Sequence, residues 1–219
     1  MGLVAPALAA GRRPLSAAAK AKLAAAIRAK ANTPEAWGLI FDIAIEPPKL
    51  PFECGTSFVA MSAINRAHKR NADVQELIIA RCMDADVDAD VWEFPLILHA
   101  SMALANKSRA LADKRIVKVL RDTLASKKDE LATNAAFVLT RLGDHGALPL
   151  IVALLANLTQ ERVGDRCHRV ARVAEAMQKL RGAKAADFAK LKAARAKVHD
   201  PYWDAKLDKQ LASLAKRFT

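Results

Sequence analysis

The chain has 219 residues, of which 53% are hydrophobic and only 5% aromatic, and alanine dominates the apolar set. This composition predicts an all-α protein and excludes a sheet protein, since no alternating apolar pattern of useful length occurs. The formal net charge of +12 favours an acidic partner, such as nucleic acid, anionic lipid or an acidic protein face, although an ordinary solubilising surface explains the charge equally well.

The cysteines are Cys54, Cys82 and Cys167, which are odd in number, far apart and without CxxC spacing. This pattern excludes a disulfide framework and a zinc motif, and it favours an intracellular, reducing compartment. The longest uncharged apolar run, residues 146–160, is too short to cross a bilayer, so no membrane span is predicted.

Residues 1–32 form a basic, alanine-rich segment; the first 34 residues contain six Lys or Arg and no acid. That makeup is typical of a transit peptide and predicts import into an organelle matrix, mitochondrial or chloroplast. The alternative is a basic capping helix in a cytoplasmic protein, begun by Ser16, with Leu23 and Ile27 docking inward.

The first clear helix start is Thr33-Pro34-Glu35, which offers a cap, a proline at the first helical position and an acid in the first turn. This helix should run to about Ile45, where "EPPKLPFECG" imposes a loop. Further helices are predicted over about 56–70, 73–83, 90–106, 111–126, 129–142, 146–158, 163–181, 184–198 and 203–217.

The predicted helices come in pairs that recur along the chain. Sliding the sequence by 35 residues superposes Ala100 on Ala135 and Leu104 on Leu139, and a slide of 38 takes Leu142 to Leu180. Self-similarity at 35 to 40 residues indicates stacked helical hairpins, because each hairpin alone cannot bury its apolar face.

The turn between one such pair lies in "RLGDHGALPLIVALL". Leu142 ends the first helix, Gly143 should stop it in a left-handed cap, and Asp144 lies in the tight turn that follows. Pro149 should lie in the first turn of the returning helix, where its missing N–H does least harm.

Residues 129–158 closely resemble the consensus of HEAT repeats with a Leu-Gly-Asp turn and a downstream Ala-x-Pro. The resemblance implies a right-handed α-solenoid of about four to five antiparallel helix pairs over residues 33–200, with 201–219 as a capping helix. The neighbouring pairs depart from the consensus: Lys107 stands where Leu142 does, and Arg181 precedes Gly182.

The C-terminal part carries most of the positive charge, with fifteen Lys or Arg and six acids over residues 162–217. Spacings of four, three and three residues place four arginines on one side of a helix, where they are candidates to contact phosphate or an acidic partner. These are Arg162, Arg166, Arg169 and Arg172. A solvated face, or pairing with acids of a neighbouring hairpin, is the alternative interpretation, since no aromatics are interleaved in sequence.

No chemistry-bearing motif supports catalysis, a cofactor or a metal. The segment 84–90, "DADVDAD", spaces its acids like a calcium loop but has Ala89 where glycine is needed and Pro95 where a glutamate is needed. Cys167 and His168 are adjacent and so point in different directions on a helix. Trp92, Tyr202 and Trp203 are predicted to pack in the core or against a repeat end, and Trp37 is predicted to pack in the first hairpin.

These observations predict a non-enzymatic scaffold that binds a protein partner, as a structural subunit of a larger assembly. The first alternative is binding of ribosomal RNA or the DNA backbone through the basic C-terminal repeats. The second is a HEAT-like enzyme, such as an alkylpurine DNA glycosylase or a phycobilin lyase, for which Trp203-Asp204 is the nearest local match.

Overall fold

The computed structural model describes residues 33–45, 54–83, 93–126, 129–158 and 163–218, besides Ala18 and Ala21. All regular structure in these ranges is helical, which confirms the all-α prediction. The predicted basic segment 1–32, the acidic segment 84–90, Trp92 and Arg162 lie outside the described residues, apart from the two alanines. None of the described helices is both long and apolar enough to cross a bilayer.

The chain divides into two compact units, Met1–Ala85 with Ala89–Leu98, and Asp86–Asp88 with His99–Thr219. In unit 1 the helices are α1 (Pro34–Ile45), α2 (Cys54–Ala67) and α3 (Ala72–Met83), and α1 packs against both others. α4 (Glu93–Ala105) begins in this unit and crosses the boundary. The predicted subdivision at residues 32 and 200 stays a prediction.

Side-chain caps mark the starts of α1 and α3. Thr33 Oγ1 accepts the Ala36 N–H at 3.2 Å, as the sequence predicts. α3 is capped by Asn71 rather than started by Asp73, because Asn71 Oδ1 accepts the Asp73 N–H at 2.9 Å. The fully buried side chains of Phe41, Ile64 and Ile78 form the core between these helices.

Unit 2 holds the remaining helices. They are α5 (Lys107–Ala112), α6 (Lys114–Leu124), α7 (Asp129–Leu142), α8 (Leu148–Ala153), α9 (Val163–Lys179), α10 (Ala185–Arg195) and α11 (Asp204–Ala215), with short 3-10 turns at His145–Ala147 and Leu154–Asn157. The predicted helix 111–126 is wrong as a single helix: it splits at Asp113, whose N–H closes α5 on the Arg109 carbonyl at 2.8 Å and whose Oδ1 caps α6 by accepting the Arg115 N–H at 3.0 Å.

Six helices of unit 2 form two rows, and within each row every helix contacts the next. The first row is α7, α9 and α11, in which each helix packs on the next. The second row is α6, α8 with its 154–157 extension, and α10, again each against the next. Contacts of α6 with α7, α8 with α9 and α10 with α11 join the rows, so the apolar faces of both rows form one core around Leu139, Ile151 and Met177.

The C-terminal segment folds back onto the end of this core. Leu207 and Leu214 of α11 are fully buried, and Leu211, predicted on the same face, is half-buried. Arg217 donates to the carbonyls of Met177 and Gln178 at the end of α9, the latter at 3.0 Å. A cation on these last carbonyls satisfies acceptors that the helix itself leaves unpaired.

Candidate functional site

Of the predicted arginine stripe, Arg162 lies outside the described residues, Arg169 is buried, and Arg166 and Arg172 are partly exposed. Arg169 is only 1% exposed, and its Nη1 donates to the Leu154 carbonyl at 3.4 Å. Arg166 and Arg172 are half-buried. The stripe prediction is wrong for Arg169 because α9 contacts α7, α8, α10 and α11, which leaves this helix little solvated surface.

Arg172 is occupied by partners within the protein. Its guanidinium lies 4.2 Å from the Phe137 ring centre, and its Nη1 donates to Glu175 Oε2 at 3.0 Å. Glu175 also accepts from Lys179 Nζ at 2.6 Å and pairs with Arg141 of α7 at 3.5 Å. Burial alone would raise the pKa of Glu175, but the hydrogen bonds from Lys179 and Arg172 outweigh it and lower the pKa. The cluster therefore joins α9 to α7.

The turn 142–149 has the geometry that the sequence predicts. Gly143 has φ of 80°. Its N–H donates to the Thr140 carbonyl at 3.3 Å, and the Asp144 N–H donates to the Leu139 carbonyl at 3.0 Å, which is a Schellman cap. Leu142 is buried beneath the turn, and Pro149 is the second residue of α8.

Asp144 anchors this turn to the preceding second-row helix. Arg121 of α6 donates Nε to Asp144 Oδ2 at 2.9 Å and Nη2 to Oδ1 at 2.6 Å. The hydrogen bond to Asp144 raises the pKa of Arg121. His145 links the same turn onward, because its Nδ1 accepts the Arg181 N–H at 3.1 Å beside Gly182, whose φ is 93°. Sequence reasoning missed Arg121, since its partner lies 23 residues away and no local spacing marks it.

The solvent side of the second row has an uncharged centre between basic flanks. Leu150 of α8 is 45% exposed, and Pro149 and Ala153 beside it are exposed as well. The flanking helices α6 and α10 expose lysines, which are Lys114, Lys118, Lys190 and Lys192, and Lys118 Nζ pairs with the exposed Asp122 Oδ2 at 2.5 Å. We call the three α8 residues and the four lysines the second-row surface. Its combination of apolar centre and charged rim is typical of protein interfaces.

The thiols of Cys82 and Cys167 are buried. The Cys82 thiol donates to the Pro95 carbonyl at 3.4 Å, and burial raises its pKa to about 12. Burial also raises the pKa of Cys167. Within the described ranges, no group of three or more His, Cys, Asp or Glu side chains could hold a metal ion.

The aromatic residues near the last helix are only partly packed. The His168 and Trp203 ring centres lie 5.7 Å apart, and Lys206 Nζ lies 4.6 Å from the Trp203 ring. Tyr202 is 81% exposed and touches Trp203 edge-on, so the prediction that Tyr202 packs in the core or cap is wrong. Tyr202 lies in the turn that precedes α11.

Comparison with protein-family models, with curated proteins and with solved structures finds no match to this chain.

Proposed function

We propose that this chain is a non-enzymatic binding module of HEAT type, a right-handed α-solenoid of about four to five helix pairs that serves as a structural subunit of a larger assembly. The two rows of unit 2 support this proposal, because successive helices of a solenoid contact their neighbours within a row. The linked turns at Gly143 and Gly182 support it as well, since each follows a first-row helix.

The observation that carries the proposed function is the exposed Leu150 on an uncharged helix between two basic ones. A few residues near the centre of an interface, desolvated on binding, supply most of the binding energy, whereas charges at the rim select the partner and speed encounter. The partner that fits the second-row surface is therefore a protein segment with an apolar face and acidic flanks. We propose that this chain resides in a reducing compartment, either the cytoplasm or an organelle matrix.

The test is a pull-down with the tagged full chain from its native cells, run with and without nuclease and read by mass spectrometry. Leu150→Glu places a negative charge at the centre of the second-row surface. Leu111→Glu is the matched control, because Leu111 is 51% exposed and lies on α5, outside both rows.

The proposal expects one set of proteins that survives nuclease, is lost with Leu150→Glu and is kept with Leu111→Glu. Loss of the set on nuclease treatment would assign the association to nucleic acid instead. Equal recovery by both variants would place the interface elsewhere on the chain.

A further inference from the structure

Unit 1 has an open groove between α1, the end of α2 and the start of α3. Its volume is about 670 Å³. It is lined by Trp37 of α1, by Arg66 and Arg70, and by the small residues Ala63 and Ala67. Volumes of roughly 300–1,000 Å³ are usual for ligand sites.

The cations at this groove have no acidic partner among the described residues. Arg66 and Arg70, which line it, are both exposed and lie four residues apart. Arg66 Nε donates to the Ser62 carbonyl at 3.2 Å, which holds the guanidinium at the groove. Elsewhere in the same unit, by contrast, Arg81 pairs with Asp42 at 2.6 Å. The uncompensated charge makes the groove attractive to anions.

Trp37 adds a flat apolar surface to this positive field. Its side chain is half-buried, so one part packs in the protein while the other lines the groove. An aromatic platform beside a run of cations is the combination by which proteins hold unpaired nucleotides, because the base stacks on the ring and the phosphates meet the cations. Two arginines can contact two phosphates of one strand, and an open groove allows a strand to enter and leave.

We propose that the groove binds single-stranded nucleic acid, with one base on the Trp37 indole and phosphates at Arg66 and Arg70, which line the same groove. Stacking on a single ring tolerates any base, so the site selects unpaired strands rather than a sequence. This site is separate from the second-row surface and does not depend on the function proposed for it.

The test is fluorescence anisotropy of a labelled oligouridine of roughly 12 nucleotides, a length within the usual site sizes, titrated with the full chain at about 50 mM salt. The double variant Arg66→Gln with Arg70→Gln should weaken binding at least tenfold and lower the salt slope by about 1.4, since each contact on a single strand contributes about 0.7. Lys209→Gln with Lys216→Gln removes the same charge from exposed positions at α11 and should change the affinity less than threefold.

Trp37 is tested separately, with circular dichroism of each variant as the check on folding. Trp37→Ala should weaken binding at least about fivefold, and Trp37→Phe should restore part of it, because a ring is again present. The arginine pair keeps the test decisive if Trp37→Ala fails to fold, since both arginines are exposed.

Two results would overturn the proposal. One is equal weakening by the two double variants, which would mean that net charge alone draws the strand. The other is displacement of the oligonucleotide by an oligoglutamate peptide of the same charge at equal concentration, which would identify an acidic protein segment as the occupant.

Discussion

His99 makes the stability of unit 2 depend on pH. The side chain is 0% exposed, and neither ring nitrogen has a hydrogen-bond partner in the described part of the chain. Burial lowers its pKa from 6.5 to about 4, a change that the nearby Asp113 carboxylate only partly opposes. The folded state therefore holds His99 neutral at pH values where the unfolded chain is already protonated.

The direction of the pH dependence of stability follows from proton uptake on unfolding. Between pH 6.5 and about 4 the unfolded chain binds a proton at His99 that the folded chain does not, so the free energy of unfolding decreases as the pH falls through this window. The full effect is about 3 kcal/mol at about 1.4 kcal/mol per pKa unit, of which about 2 kcal/mol is lost between pH 7 and 5. For a chain of this length that loss lowers Tm by about 4–8 °C.

The assay is urea unfolding at pH 7 and pH 5, followed by circular dichroism, on three proteins. His68 and His168 also have lowered pKa values, chiefly because of burial, so the wild-type loss includes their contributions. His99→Leu should lose about 2 kcal/mol less than the wild type over this interval. His199→Gln, which changes an exposed histidine, should match the wild type. An unchanged pH dependence in His99→Leu would refute this assignment.

Three further predictions concern the turn and core of unit 2. Gly143→Ala should lower the free energy of unfolding by about 1–2 kcal/mol, because φ is positive there. Gly164→Ala, in α9 with open space around the added methyl, should not lower it. Thermal unfolding of both variants checks this. A double-mutant cycle with Arg121→Met and Asp144→Asn should give a coupling free energy of about 0.5–1 kcal/mol, which should diminish at high salt. Additive effects of the two substitutions would show that the ion pair contributes nothing to stability. Leu139→Ala should cost about 2–5 kcal/mol in urea unfolding, since the side chain is fully buried between the rows, and a cost near zero would contradict that packing.

Local patterns in the sequence predicted most of the helices. The helix Asp129–Leu142 and the left-handed Gly143 follow from apolar periodicity and from the strong preference of that backbone conformation for glycine. The break at Asp113 was missed, because no proline or glycine marks it. The aspartate side chain instead competes with the helix by hydrogen-bonding to a nearby backbone N–H.

The candidate sites were less predictable, because they depend on contacts between distant residues. Periodicity placed Arg169 and Arg172 on one side of α9, but it could not reveal that four other helices surround that helix. Likewise, Phe137 reaches Arg172 from a different helix, and the aromatic and cationic residues of the unit 1 groove are separated by about thirty positions in the chain. Such groupings arise only from tertiary packing.

Hydrogen–deuterium exchange on the complex recovered with the wild-type chain tests the central claim most directly. If the second-row surface binds the partner, amides of α8 and α10 will be protected in the complex relative to the free chain, while those of α7 and α9 in the first row will exchange as before. Protection confined to the first row, or none in either row, would contradict the account.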